Sequence, residues 1–175
     1  MKQSLSDIVN RAIKGDQNAY KQLYDEYSPQ MLGVCMRYTH SRDEAQDVLH
    51  DGFIKAFQRL HTLNNAEVFG SWIYKIMVRT ALNYVQRESC KYVALDKSIE
   101  LDDSLVIDYD QFDVQYLLQI IQNLPAKIRA VFNMHEIDGY SFDEISQQMG
   151  LTKSSARCYL TRARQIIQEK LKNDE

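Results

Sequence analysis

Two prolines and six glycines in 175 residues leave few places for sharp reversals. That scarcity disfavours many short strands and favours long helices. Three cysteines, Cys35, Cys90 and Cys158, are odd in number and scattered, with no C-x-x-C pair. They make no disulfide framework and read as free thiols in a reducing compartment. The four histidines, His40, His50, His61 and His135, lack both an i,i+4 partner and a neighbouring cysteine, so neither a metal site nor a cofactor is expected. Also missing are a Ser-His-Asp arrangement and a glycine loop that would cradle phosphate, so the chain is not expected to be an enzyme. No apolar run approaches the roughly 20 residues of a membrane span, and the N-terminus has no apolar signal core. The expectation is a cytoplasmic protein with no membrane insertion.

What is present is charge, unevenly spread. The formal net charge is -3. Residues 1–90 hold 11 basic and 10 acidic side chains, residues 91–113 hold 2 and 7, and residues 114–175 hold 8 and 7. The acidity therefore belongs to a central segment, "CKYVALDKSIELDDSLVIDYDQFD", which has no sustained period and reads as an extended linker. Either side of it the pattern is helical. The spacing predicts an all-α chain of two small helical domains, 1–90 and 114–175, joined by the acidic linker 91–113.

In the first block, "LSDIVNRAIKG" predicts a short helix closed by Gly15. The next helical pattern meets Pro29, where the helix either kinks or restarts with Ser28 as its cap. "SRDEAQDVLHDGFIKAFQRL" opens with Ser41 and Glu44 in capping-box spacing. Its apolar stripe from Ala45 to Leu60 faces a core. "HTLNNAE" is a turn, and "VFGSWIYKIMVRTALNYVQRE" is another long helix. In the second block, "VQYLLQIIQNL" ends at Pro125 and "AKIRAVFNMHEI" follows. Ser141 and Glu144 form a second capping box for "FDEISQQM".

Three surfaces carry functional signals. The first is a helix of about eight residues, the turn Gly150-Leu151-Thr152 and a longer basic helix, which is helix-turn-helix spacing. Between Gly150 and Lys172 there are six basic residues and one acid. Phe142, Ile145 and Met149 are expected to pack on Ala156, Leu160, Ala163 and Ile167. That leaves Lys153, Ser154, Ser155, Arg157, Cys158, Thr161, Arg162 and Arg164 for DNA, with helix N-terminal residues reaching base edges and later bases holding phosphate. A plain solvated basic face is the competing explanation.

The second is an outward row, Asp47, His50, Asp51 and Ile54, on the helix that begins at Ser41. Two carboxylates beside an exposed isoleucine and a histidine suit docking onto a basic, partly apolar helix. An ordinary exposed face with one stray isoleucine would look the same. The third combines Asn64 and Asn65 in the turn with Phe69 and Trp72, followed by Lys75, Arg79 and Asn83 at one-turn intervals. Polar turn residues next to aromatics and bases suit unstacked single-stranded bases, although Phe69 also belongs to the core stripe and Trp72 lies at its edge.

At these residues the chain resembles the extracytoplasmic-function RNA polymerase sigma factors. "GDQNAYKQLYDEY" is similar to the family's opening helix and "DEAQDVLHDGFIKAFQRL" to its polymerase-binding helix. "FGSWIYKIMVRTALNYVQRE" is similar to the helix that captures the minus-ten element. "LPAKIRAVFNMHEIDGYSFDEISQQMGLTKSSARCYLTRAR" is similar to the domain that reads the minus-35 element. The resemblance implies that Asp47, His50, Asp51 and Ile54 meet core RNA polymerase. It implies that the Leu63–Phe69 turn traps a flipped base of the melted non-template strand, and that Lys75, Arg79 and Asn83 hold DNA nearby. The recognition helix would read double-stranded promoter DNA, the linker would thread toward the polymerase cleft, and an anti-sigma factor would be a partner. His50 stands where the family more often has Gln, and Arg79 where Asn is frequent. Tyr159 and Ser154 replace a commoner Arg and Gly, so the promoter sequence does not transfer from relatives.

The rival is a conventional dimeric helix-turn-helix regulator acting without sigma activity, which would bind a palindromic site unaided. A hydrolase using Asp47, His50 and Asp51 is remote, because one exposed row is not a pocket.

Overall fold

A computed structural model describes residues 4–91 and 114–173. Among these residues there are helices and turns and no strands. The predicted linker 91–113 lies outside the described residues except for Lys91, which ends a helix. Contacts divide the chain into one compact unit of 1–36 and 41–81 and a second of 37–40 and 82–175. The division at residue 81 lies inside a long helix that runs on to Lys91, whereas the sequence pattern places the limit at residue 90.

In the first unit, α1 (Leu5–Ile13) is capped by Ser4, whose side chain accepts the Asp7 N–H. It ends as the sequence predicts: Gly15 has φ +88°, with Gly15 N–H donating to Ala12 O at 2.9 Å and Asp16 N–H to Arg11 O at 3.1 Å. These two bonds satisfy carbonyls that a helix end otherwise leaves unpaired. Asp16 then caps the next helix, accepting the N–H groups of Asn18 and Ala19, and takes an ion pair from Arg11 at 2.7 Å.

α2 (Gln17–Tyr38) is one helix with Pro29 inside it, so it does not restart at Ser28. Pro29 and Asp25, whose carbonyl loses its usual donor, are both exposed, and water can replace the missing bond. Three tyrosines one turn apart on α2 meet three phenylalanines: Tyr20 on Phe57, Tyr24 on Phe53 and Tyr27 on Phe69, with ring centres 4.6 to 4.9 Å apart.

α3 (Arg42–Gln58) is capped by Ser41, which accepts the Glu44 N–H. Its stripe Ala45, Val48, Leu49, Gly52, Phe53 and Ala56 is buried. Gly52 permits a close helix contact, since a Cβ there would run into the Met77 sulfur. The turn after α3 consists of two 3-10 turns, Leu60–Thr62 and Ala66–Val68, both packed against α1. α4 (Phe69–Lys91) follows directly.

The second unit contains α5 (Val114–Gln122), α6 (Ala126–Phe132), a π turn (Asn133–Ile137), α7 (Phe142–Met149) and α8 (Lys153–Asn173). Pro125 occupies the N-cap of α6. Arg129 is completely buried, and its guanidinium donates to Gln122 O at 2.6 Å and Leu124 O at 3.4 Å. A cation there suits the negative end of α5 and ties the α5–α6 corner together. Asp138, just after the π turn, has a fully buried side chain that pairs with Arg37 at 2.8 Å, while the Tyr38 hydroxyl donates to its other oxygen at 2.6 Å. The α7 capping box is complete. Ser141 Oγ accepts the Glu144 N–H at 3.3 Å, and the Ser141 N–H donates to Glu144 Oε2 at 2.8 Å.

Candidate polymerase and nucleic-acid interfaces

The α3 row arises because one stripe of the helix is fully used by the core. Residues 47, 50, 51 and 54 stand one to two turns apart on the remaining side, and all four are exposed. Ile54 is 55% exposed, the most open large apolar residue of its unit among the described residues. Asp47 and Asp51 have no ion-pair partner among the described residues. The His50 ring lies parallel to Tyr24, with centres 6.4 Å apart. The structure therefore brings all four predicted residues together on one open face.

The turn and the start of α4 are only partly as expected. Asn64 and Asn65 are exposed. Asn65 Oδ1 accepts the Glu67 N–H at 2.9 Å, which fixes the second 3-10 turn and commits that oxygen. Phe69 is a correction: it is 0% exposed, closed in by Tyr27 at 4.9 Å and Trp72 at 5.9 Å, and cannot touch a base. Trp72 is half-buried, with Phe69 on one side. Val68, which the sequence reading passed over, is 46% exposed beside it. Lys75, Arg79 and Asn83 are exposed in a row along α4, a helical turn apart.

In the helix-turn-helix, Gly150 adopts φ +64°, and Gly150 and Leu151 both donate their N–H to Ser146 O. Thr152 caps α8 by accepting the Ser155 N–H at 3.0 Å. The Ser155 hydroxyl is bonded to the Thr152 hydroxyl at 2.8 Å, so Ser155 is occupied at the turn. Ile145 of α7 and Ala156, Leu160, Ala163 and Ile167 of α8 are all at most 4% exposed, and the two helices are in contact.

Lys153, Ser154 and Arg157 are exposed, and Cys158, Arg162 and Arg164 are half-buried. Thr161 is the second correction: at 2% exposure it is buried. α8 is contacted by α5, α6 and α7, so its covered arc is wider than the single apolar stripe suggested. The cations also do not form one field. Lys153, Arg157 and Arg164 share the flank beside α7, whereas Arg162, nine residues and about two and a half turns beyond Lys153, lies on the other side.

That flank has partners the sequence reading missed. Lys153 pairs with Asp143. Arg157 sits 5.4 Å above the Phe142 ring centre, a cation–π arrangement, and Phe142 also stacks on His135 at 4.5 Å. Arg164 Nε and Nη2 both donate to Glu136 Oε1, at 3.1 and 2.5 Å. Helical periodicity gives no warning of these pairs, because each joins residues on different elements. Among the described residues no group of His, Cys, Asp or Glu could hold a metal, and no helix is long and apolar enough to cross a membrane.

The family model for Sigma-70 region 2 matches residues 23–90, and that for Sigma-70, region 4 matches residues 114–167. The chain is 29% identical over 179 residues to the RNA polymerase sigma-H factor of Pseudomonas aeruginosa, covering 94% of this chain and 92% of that one. It is 29% identical over 188 residues to the ECF RNA polymerase sigma-E factor of Escherichia coli, covering 98% and 97%. Among solved structures, the sigma factor RpoE of Bartonella quintana, in complex with the anti-sigma factor NepR, aligns over 89% of this chain and 98% of that one. Its TM-score is 0.52 at 20% identity.

Proposed function

Since the chain belongs to the extracytoplasmic-function group of the sigma-70 family, we infer how its parts divide the work of transcription initiation. Promoter-directed initiation with core RNA polymerase is the function of the family.

The α3 row docks on the polymerase. Asp47 and Asp51 present unneutralised carboxylates to basic side chains, and Ile54 supplies the apolar contact that excludes water around them. His50 donates or accepts between the two. The single observation that carries this reading is that all four residues are exposed on one face while the opposite stripe of the same helix is core.

The turn between α3 and α4 receives a base of the melted non-template strand. Asn64 and the amide nitrogen of Asn65 offer polar groups, and the open side of Trp72 offers a stacking surface. Lys75, Arg79 and Asn83 then hold the strand or its neighbouring duplex through phosphate and sugar contacts. In the second block, Ser154 and Arg157 near the start of α8 face the upstream duplex, with Cys158 and Arg162 further along. The domain limits 1–90, 91–113 and 114–175 go with these roles. The chain acts in the cytoplasm, performs no catalysis itself and leaves the chemistry to the polymerase. A protein regulator of the anti-sigma class, like the one bound to the Bartonella quintana relative, belongs to the same reading.

The test is in-vitro transcription with the full chain, core polymerase and fragmented genomic DNA. New start sites that depend on the chain are expected. A chain that neither comigrates with the polymerase nor starts any transcript overturns the reading. Unaided, dimeric binding to a palindromic duplex favours the regulator instead.

A further inference from the structure

The basic flank of α8 is quieter than its composition suggests, and Glu136 is the reason. It stands in the π turn, two and three residues after the buried Met134 and Asn133. One of its oxygens receives two donors from Arg164, and both side chains are only about a quarter exposed, at 23% and 24%. The same oxygen lies 3.8 Å from His135 Nδ1. By contrast, the Lys153–Asp143 pair is more than half exposed on both sides. An exposed pair exchanges partners readily and is worth little. A sheltered pair in which one group donates twice persists.

We propose that Glu136 is a positioning residue that holds Arg164 and cancels its charge, so that α8 grips duplex DNA weakly unless its other side chains meet the right bases. The inference rests on the reading of α8 as the duplex-binding helix. Its physical content is simple. Non-specific DNA binding comes almost entirely from cations that displace counterions from phosphates, at about 0.9 in log–log salt slope per neutralised phosphate. A guanidinium already matched with a carboxylate adds little to that sum while keeping its remaining donors in place. The specificity ratio gains, because the sequence-blind part of the affinity is lowered and the base contacts are untouched.

The test uses the full-length protein and a 30-base-pair duplex of arbitrary sequence, titrated by fluorescence anisotropy from about 20 to 200 mM salt. Glu136→Gln, close in shape but uncharged, is expected to bind this duplex on the order of tenfold more tightly at 50 mM salt, with a slope steeper by about 0.9. Combining it with Arg164→Ala should abolish both gains. Glu136→Asp, which keeps the charge, should retain the original slope. Circular dichroism shows whether each variant is folded. A folded Glu136→Gln protein whose slope is unchanged or shallower, or whose binding is undetectable, overturns the proposal, as does a gain that survives removal of Arg164. Wild-type transcription with core polymerase is measured alongside. If it fails, the functional reading fails; if it succeeds while the slope does not move, only the role of Glu136 is lost.

Discussion

The outward row of α3 and the basic flank of α8 are both charged helix faces, yet they are finished differently. On α3 the carboxylates of Asp47 and Asp51 are left without ion-pair partners among the described residues, and Ile54 stands open on the same face. On α8 every cation of the flank already has company: Asp143 for Lys153, the Phe142 ring for Arg157 and Glu136 for Arg164. A face meant for one protein partner can remain unsatisfied, because few other surfaces match it in both charge and shape. A face meant for DNA meets phosphate everywhere, so bare charge there would bind without discrimination. Charge left open and charge held in check are two answers to the same question of specificity.

The largest expected effect breaks the open side of this comparison. Replacing Asp47 and Asp51 together by alanine should weaken holoenzyme assembly by about 3 kcal/mol, on the order of a hundredfold, measured by titrating labelled polymerase. Unchanged assembly would remove the row from the interface. Next comes the α8 side. Arg157→Ala should weaken upstream duplex binding by about 1 to 3 kcal/mol. Its log–log salt slope in the same anisotropy titration should become shallower by about 0.9, because the Phe142 ring leaves the guanidinium its full charge.

Smaller effects sharpen the contrast by showing what merely holds each unit together. Ser141→Ala removes the hydroxyl half of the α7 capping box and should lower stability by about 1 kcal/mol, seen as a reduced urea midpoint with an unchanged slope.

The smallest effect is one of acidity. The guanidinium of Arg11 holds Asp16 below its ordinary value of 3.8. The Ser141 N–H, then its hydroxyl, hold Glu144 below 4.5. Each carboxyl binds its proton more weakly folded than unfolded. The stability they add is therefore complete above those ordinary values and is lost as the pH falls through the lower, folded ones. Asp16→Asn should flatten that acid limb in urea midpoints measured from pH 6 down to pH 3, while leaving the Glu144 contribution in place.

Much of this was legible in the sequence because it is local. Ser41, Ser141 and Glu144 announce their caps within four residues, Gly15 and Gly150 announce their turns, and the α3 stripe is a matter of counting by three and four. The open α3 row follows from the same count. What stayed hidden depends on distant residues. Phe69 reads equally well as stacking surface or core until Tyr27 is seen against it. Thr161 looks exposed on a helical wheel and is covered because three helices meet α8. Pro29 looks like a break, yet the helix continues through it with Asp25 and Pro29 both on the exposed side. The partners of the α8 cations, and the buried Arg129 clip on α5, join elements that no periodicity links.

Gly150 shows how narrow one of these requirements is. Nothing lies within 4 Å of where its Cβ would stand, so the objection to a side chain there is one of handedness and not of room. An L-alanine would meet its own backbone at a penalty of about 1 kcal/mol or more, while its mirror image would sit at ease. The corner between α7 and α8 thus turns on a single achiral centre.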